Sequence, residues 1–265
     1  MLGVQNHIVV DSLSDKNPLI KQIRRALSRG ALTDDGYAVA EGPHLLEEAG
    51  RAGCEIKAVI AAESALDRVS FSAGVEVRTV SDKTFQDLSS TDTPQGILAL
   101  VKPPSWTFAD LFKGRPLVVI LDGLQEPGNA GGIVRTAEAF GATGVVFLKG
   151  TVNPYNPKCL RASAGSIFRV PLVTGIEPGQ LPQIPLYAAA PLAALDMEAA
   201  DLIHACSIVI GSEGRGIRPE LTARAKCIRI PTAGVESLNA SVAAGVLLYE
   251  ASRQRRAAAK GSGAA

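Results

Sequence analysis

The apolar positions of this chain fall into two periods, and their succession divides it into short strands and amphipathic helices. Within residues 17–30, Leu19, Ile23 and Leu27 recur at helical spacing, Pro18 suits an early helical position and Gly30 suits a stop. A first helix is expected there. Residues 37–40 read as a strand, 43–53 as a helix closed by glycine, and 56–61 and 75–80 as strands. Residues 81–89 read as a short helix with Ser81 at its N-cap, and 96–101 as a buried strand. Residues 1–101 are therefore expected to form a small α/β domain.

Lys102, Pro103 and Pro104 end that last strand and open a linker, taken as residues 102–115, because consecutive prolines stiffen a connection. Apolar strands return at 117–121, 145–148, 168–170, 186–190, 207–210 and 228–230. Helical patterns lie at 131–140, 156–164, 199–204 and 238–254. Continuous apolar runs of strand length suit a parallel sheet covered on both faces. A second α/β domain is expected over 116–254, and the Ala/Gly-rich tail 255–265 reads as disordered.

With 46% hydrophobic and 20% charged residues in 265, the chain can bury a real core, and wholesale disorder is excluded. No apolar run approaches the ~20 residues that span a bilayer, so no membrane is expected as a partner. Residues 1–15 lack the basic and apolar regions of a secretion signal, and a cytoplasmic protein is expected. Cys54, Cys159, Cys206 and Cys227 show no metal-ligand or redox spacing, so reduced thiols and no metal are expected. The net charge of +1 hides an asymmetry, −3 over residues 1–105 and +4 over 106–265. A polyanionic partner is thus permitted by the second half but not demanded. Aromatics at 5% argue against a recognition surface built from stacking platforms.

Chemistry concentrates in three loops that follow strands, where ligands bind in an open α/β sheet. The first, residues 121–135, has glycines that allow close backbone approach. Gly123 and Gly128 have the spacing of a phosphate loop, but Asn129 stands where such a loop needs lysine. The three spaced glycines of a dinucleotide loop are also missing. Asn129 is readable as a helix N-cap or as a site group, and Arg135 as a solvated charge or as a site group. The second loop, residues 210–219, alternates three glycines with Glu213 and Arg215. The third, residues 230–241, offers Ser237, Asn239 and Ser241, for which the reading as helix caps is the stronger one. His7, His44 and His204 all lie elsewhere, so chemistry centred on histidine has no support in these loops. The available groups are guanidinium, carboxylate, amide and hydroxyl, with backbone amides.

At these loops the sequence resembles the SpoU (TrmH-like) branch of the SPOUT class of RNA 2′-O-ribose methyltransferases. The matching residues are Asn129-Ala-Gly-Gly-Ile-Val-Arg135-Thr-Ala with Phe140-Gly-Ala, then Ile210-Gly-Ser-Glu213-Gly-Arg-Gly-Ile, then Ile230-Pro with Ser237-Leu-Asn239-Ala-Ser241. Lys158-Cys-Leu-Arg161-Ala-Ser163-Ala-Gly165-Ser-Ile-Phe168 is similar to the family's segment between its first and second motifs. Residues 40–48 and Asp92-Thr-Pro-Gln-Gly-Ile97 resemble, less specifically, the substrate-binding domain that often precedes this catalytic domain.

The resemblance implies a homodimer of α/β domains, each with a parallel sheet and a deep trefoil knot, preceded by a small α/β substrate-binding domain. It implies S-adenosylmethionine as cofactor and the ribose 2′-hydroxyl of a structured RNA as methyl acceptor, 23S rRNA ahead of tRNA. A non-catalytic RNA-binding protein on the same fold is the alternative. By the family's pattern Gly211, Ile230 and Leu238 contact the cofactor. Arg135 takes the catalytic arginine position, and Asn129, Glu213, Ser237 and Asn239 complete a site near the dimer interface. Lys158, Arg161 and Arg169 are the expected RNA phosphate contacts within the second domain. Arg24, Arg25 and Arg29 read as a basic stripe or as a solvated helix face.

Overall fold

Two hydrogen-bonded sheets organise the chain, and the computed structural model describes residues 8–68 and 75–262 of it. Contacts divide it into one unit of Met1–Pro104 with Tyr155–Phe168 and another of Ser105–Pro154 with Arg169–Ala265. The first unit holds β1 (Ile8–Ser12), β2 (Ala38–Glu41), β3 (Ile56–Ala62), β4 (Glu76–Val80) and β5 (Ile97–Val101) in the order β1-β4-β3-β5-β2. β1, β4 and β3 run parallel, and β5 is antiparallel to both of its neighbours. The connecting helices are α1 (Pro18–Arg29), α2 (Pro43–Arg51) and α3 (Asp82–Leu88). Their ends follow the sequence signals. Asn17 Oδ1 accepts from the Leu19 amide at 2.9 Å, Gly30 closes α1 at φ 58°, and Ser81 Oγ accepts from the Thr84 amide at 3.2 Å. A side-chain cap of this kind contributes about 1 kcal/mol. β1 lies outside every strand the pattern predicted.

The second unit is built on a parallel sheet of β6 (Leu117–Asp122), β7 (Gly144–Leu148), β8 (Leu172–Ile176), β9 (Leu186–Ala189), β10 (Leu195–Asp196), β11 (Cys206–Gly211) and β12 (Lys226–Arg229). Their order is β10-β12-β9-β11-β6-β7-β8, and every neighbouring pair is parallel. β6 is buried along its whole length, as covering on both faces requires. On one face Val118, Ile120, Val146, Leu148, Leu186 and Val209 pack with Leu111 of α4 (Phe108–Leu111) and Leu221 of α7 (Pro219–Thr222). Two long helices, α5 (Pro127–Ala139) and α8 (Ala240–Ser262), pack on each other and on β7 and β11 respectively. Small residues let them approach: a Cβ on Gly132 would lie 3.5 Å from Ser241 Cβ.

The remaining helix, α6 (Pro157–Ser163), belongs to the first unit, although its sequence falls inside the range expected for the second domain. Arg161 of α6 donates from Nη1 to Glu41 Oε2 at 3.2 Å and to Ser90 Oγ at 2.6 Å. Ala164 (φ 47°) and Gly165 (φ 87°) end α6 in the left-handed region. Gly165 presses so closely on α2 that a Cβ there would lie 2.4 Å from Glu48 Cβ.

Three expectations are corrected. The strand expected at 168–170 is a 3-10 turn, Ser166–Phe168, and β8 follows it. β8 is an edge strand carrying Thr174 and Gly175, so its hydrophobic signal is weak. The helix expected at 199–204 is absent beyond a 3-10 turn, Met197–Ala199, because side chains of α8 satisfy that backbone instead. Gln254 accepts from the Leu202 amide at 3.0 Å and donates to the Ala200 carbonyl at 3.1 Å, while Arg255 donates to the His204 carbonyl at 2.7 Å. The tail expected to be disordered continues α8 to Ser262, and residues 263–265 lie outside the described residues. Among the described residues no helix is long and apolar enough to cross a membrane.

Candidate active site

At the carboxyl ends of β9, β11 and β12 the second unit opens into a cavity of about 400 Å3. Its walls are apolar, from Ile210, Ile228, Ile230 and Leu238, and its rim is polar, from Ser212, Glu213, Thr232, Glu236, Ser237 and Asn239. Gly211, Glu213, Ile230, Ser237, Leu238 and Asn239, six of the residues picked out by sequence, all line it.

Local geometry explains why the loop after β11 has its glycines. Ser212 and Gly216 exchange backbone hydrogen bonds at 3.2 and 2.9 Å, and the Arg215 amide donates to Ser212 Oγ at 3.2 Å. The loop thereby folds back on Gly211, where a Cβ would lie 2.5 Å from the Gly216 carbonyl carbon. Glu213 stands exposed on this hairpin.

Asn129 is not the N-cap of α5. Glu126 fills that position and accepts from the Gly128 amide at 3.2 Å, which leaves the Asn129 amide free to bond across the site. Asn129 Nδ2 donates to Glu213 Oε1, and Asn129 Oδ1 accepts from Asn239 Nδ2 at 3.1 Å. Asn239 serves both readings at once, since its Oδ1 also caps α8 by accepting from the Ser241 amide at 2.9 Å and Ser241 Oγ at 2.7 Å. A carboxylate and two amides, contributed by three separate segments of the chain, are thus bonded in series beside the cavity. Glu213 also meets the first turn of α5, whose dipole favours negative charge.

Arg135 lies exposed on α5, and among the described residues its guanidinium makes no hydrogen bond or ion pair. Ser237 is exposed on the cavity rim, likewise with no hydrogen-bond partner among the described residues. Among the described residues no group of three His, Cys, Asp or Glu side chains could hold a metal ion.

The residues picked for phosphate contact are more committed. Arg169 gives Nε and Nη2 to Glu138 at 2.6 and 3.0 Å, and Arg161 gives Nη1 to Glu41 and Ser90, within the first unit. Lys158 is exposed on α6 of the same unit. Arg24, Arg25 and Arg29 pair with Asp15 and Asp34, which neutralises the stripe on α1. Sequence reasoning passed over Ala189, Ala190 and Pro191 in the cavity wall, which carry no polar signal. It also passed over Asp122, a buried carboxylate that closes an otherwise apolar strand; that polar end was the available clue.

Comparison with known proteins matches residues 116–249 to the SpoU rRNA Methylase family and residues 17–99 to the MRM3-like substrate binding domain. An uncharacterized tRNA/rRNA methyltransferase of Synechocystis is 34% identical over 92% of this chain and 94% of its own length. The 23S rRNA (guanosine(2553)-2′-O)-methyltransferase RlmP of Bacillus subtilis is 28% identical over 89% of this chain and 96% of its own. Among solved structures, the AdoMet-bound rRNA methyltransferase of Sinorhizobium meliloti superimposes with a TM-score of 0.78 at 28% identity, covering 93% of this chain and 98% of that one. The SpoU methyltransferase AviRb of Streptomyces viridochromogenes, in complex with AdoMet, gives 0.80 at 25% identity, covering 91% and 98%.

Proposed function

The chain belongs to the SpoU rRNA methylase family, and from that premise we propose that it methylates a ribose 2′-hydroxyl of 23S rRNA with S-adenosylmethionine as methyl donor. The observation that carries this reading is the convergence of three motifs, distant in sequence, on one cavity through the Glu213–Asn129–Asn239 series. The residues present fit the donor. A cavity of about 400 Å3 lies within the range of roughly 300–1,000 Å3 usual for small-molecule sites. Apolar walls suit a purine ring, and Glu213 and Glu236 on the rim suit a cationic ligand. Bound there, the donor supplies an electrophilic methyl carried on a sulfonium.

The chain's own residues then do the positioning. Asn129 and Asn239 fix the Glu213 carboxylate, while Gly211, Ile230 and Leu238 shape the donor's seat through backbone and apolar surface. Arg135 offers paired donors to the phosphate and 2′-oxygen of the target nucleotide and stabilises the negative charge developing there. A guanidinium offers donors and no acceptor, so Arg135 is a clamp rather than a base. Such alignment supplies up to about 7–11 kcal/mol in ideal models. Lys158, exposed on α6, is kept as a phosphate contact, and Arg161 and Arg169 would each have to exchange a carboxylate for RNA.

The same reading makes the active form a knotted homodimer. Val242 and Tyr249, seven residues apart and so on one face of α8, are 51% and 50% exposed. Tyr249 packs edge-on against Phe140, at the end of the helix that carries Arg135. An apolar helix face next to Arg135's helix favours a second protomer there. The bacterial 23S rRNA methyltransferases among its relatives favour a cytoplasmic site of action.

The test compares ribose methylation across rRNA and tRNA from cells with and without the gene. One 2′-O-methyl group is expected to disappear from 23S rRNA; its loss from a tRNA instead would move the substrate. No loss anywhere, together with no donor binding by calorimetry, would favour a non-catalytic RNA-binding protein.

A further inference from the structure

We infer that Asp122 and Arg218 form a clasp that holds the Gly211–Gly216 hairpin closed over the cavity, and so set the enzyme's affinity for its methyl donor. Neither residue lines the cavity, so both are positioning residues. The inference rests on the reading of that cavity as the donor site.

Asp122 ends β6 with its side chain only 1% exposed. Its two oxygens hold one residue at two points: Oδ2 accepts from the Arg218 backbone amide at 2.7 Å, and Oδ1 accepts from Arg218 Nε at 2.6 Å. Arg218 in turn reaches the turn after β7, donating from Nη2 to the Lys149 carbonyl at 3.3 Å. Arg218 is where the chain leaves the hairpin and enters α7. At the other end of the hairpin, Gly211 is fixed in the sheet opposite the same Asp122. One residue therefore ties both ends of the hairpin to the central strand: its carboxylate holds Arg218, and its place in the β6–β11 register holds Gly211. Between the two ties lie Ser212, Glu213 and Gly216, all part of the cavity wall or rim. A buried carboxylate bonded in this bidentate way has far fewer alternative partners than a surface ion pair, so the exit of the hairpin is fixed in place.

The experiment uses the full chain and four variants: Asp122→Asn, Arg218→Gln, Arg218→Lys and the Asn/Gln double. Donor KM, donor Kd by calorimetry, RNA KM, kcat at saturating donor and the melting temperature are measured for each. Donor KM and Kd are expected to rise at least about fivefold in Asp122→Asn and Arg218→Gln, with RNA KM within about twofold of wild type. The double variant is expected to be no worse than the poorer single, because both remove one interaction. Arg218→Lys keeps the charge and the backbone amide and is expected to recover part of the loss. If Asp122→Asn does not fold, Arg218→Gln decides, since that side chain is one-third exposed and its removal leaves the backbone tie intact. Folded variants with donor KM and Kd within twofold of wild type overturn the inference, as does an equal rise in RNA KM. Wild-type protein that neither binds the donor nor methylates RNA overturns the proposed function itself; a wild type that does both, with unperturbed variants, overturns only the clasp.

Discussion

Replacing Gly211 by alanine adds one methyl group where the structure has no room. The new Cβ would lie 2.5 Å from the Gly216 carbonyl carbon, 2.6 Å from its oxygen and 2.7 Å from Ile217 Cγ1. Ordinary carbon contacts are about 3.5–4.0 Å, and two of these three atoms are backbone that cannot swing away. β11 cannot yield either, since it is bonded to β6 on one side and β9 on the other. The hairpin must therefore move, taking Glu213 away from Asn129. Overpacking of this kind costs about 1–3 kcal/mol. At about 2–4 °C per kcal/mol for a unit of this size, Tm is expected to fall by roughly 2–12 °C. If closing the hairpin over the donor bears the same strain, donor Kd rises roughly fivefold to a hundredfold. The control is Gly214→Ala on the same hairpin, where nothing lies within 4 Å of the built Cβ, and both quantities should stay at wild-type values. Thermal melts and donor titrations by calorimetry measure the pair. A Gly211→Ala protein with Tm within about 1 °C and Kd within about twofold of wild type would refute the steric account of this loop.

Three further outcomes are expected. Arg135→Lys should lower kcat by about a hundredfold without moving Tm, because the guanidinium has no partner to lose among the described residues; near-wild-type turnover contradicts the paired-donor role. Burial pushes the Glu41 pKa up, but hydrogen bonds from Ser89, Ser90 and Thr91 outweigh it and hold the carboxyl below its ordinary 4.5. A depressed folded-state pKa gives stability that is present above the unfolded value and lost as pH falls through the folded one. Glu41→Gln should therefore cost about 1–3 kcal/mol at neutral pH and flatten the acid limb of stability against pH; an unchanged acid limb in denaturant melts contradicts this. Val242→Glu with Tyr249→Glu should give folded monomers by analytical ultracentrifugation, since both side chains are half-exposed on the single chain; a persistent dimer would move the interface elsewhere.

Much of the fold is written in local signals. Gly30 and Ser81 cap the helices their chemistry suggested, and the apolar runs at Leu117 and Ser207 became the two central strands. What was illegible depended on distant partners. The segment at 199–204 is held by Gln254 and Arg255, some fifty residues on, and no local pattern records that. α6 falls in sequence inside the range expected for the second domain, yet it belongs with Glu41 and Ser90, to which it bonds, in the first unit. The candidate site is the same case in a sharper form. Asn129, Glu213 and Asn239 each have an ordinary reading as cap or surface charge, and only the fold brings them into one series. Their family resemblance identified them as a set; the hydrogen bonds say why they form one. Asp122 was hidden because its partner, Arg218, lies 96 residues away.

The most direct measurement is an in vitro transfer assay: purified protein, 23S rRNA isolated from cells lacking the gene, and donor labelled on its methyl group, followed by digestion to nucleosides. Label in a single 2′-O-methylnucleoside, entering about a hundredfold more slowly with Arg135→Lys, is the predicted result. Label on a base, or none at all with protein that is folded and dimeric, would contradict the account.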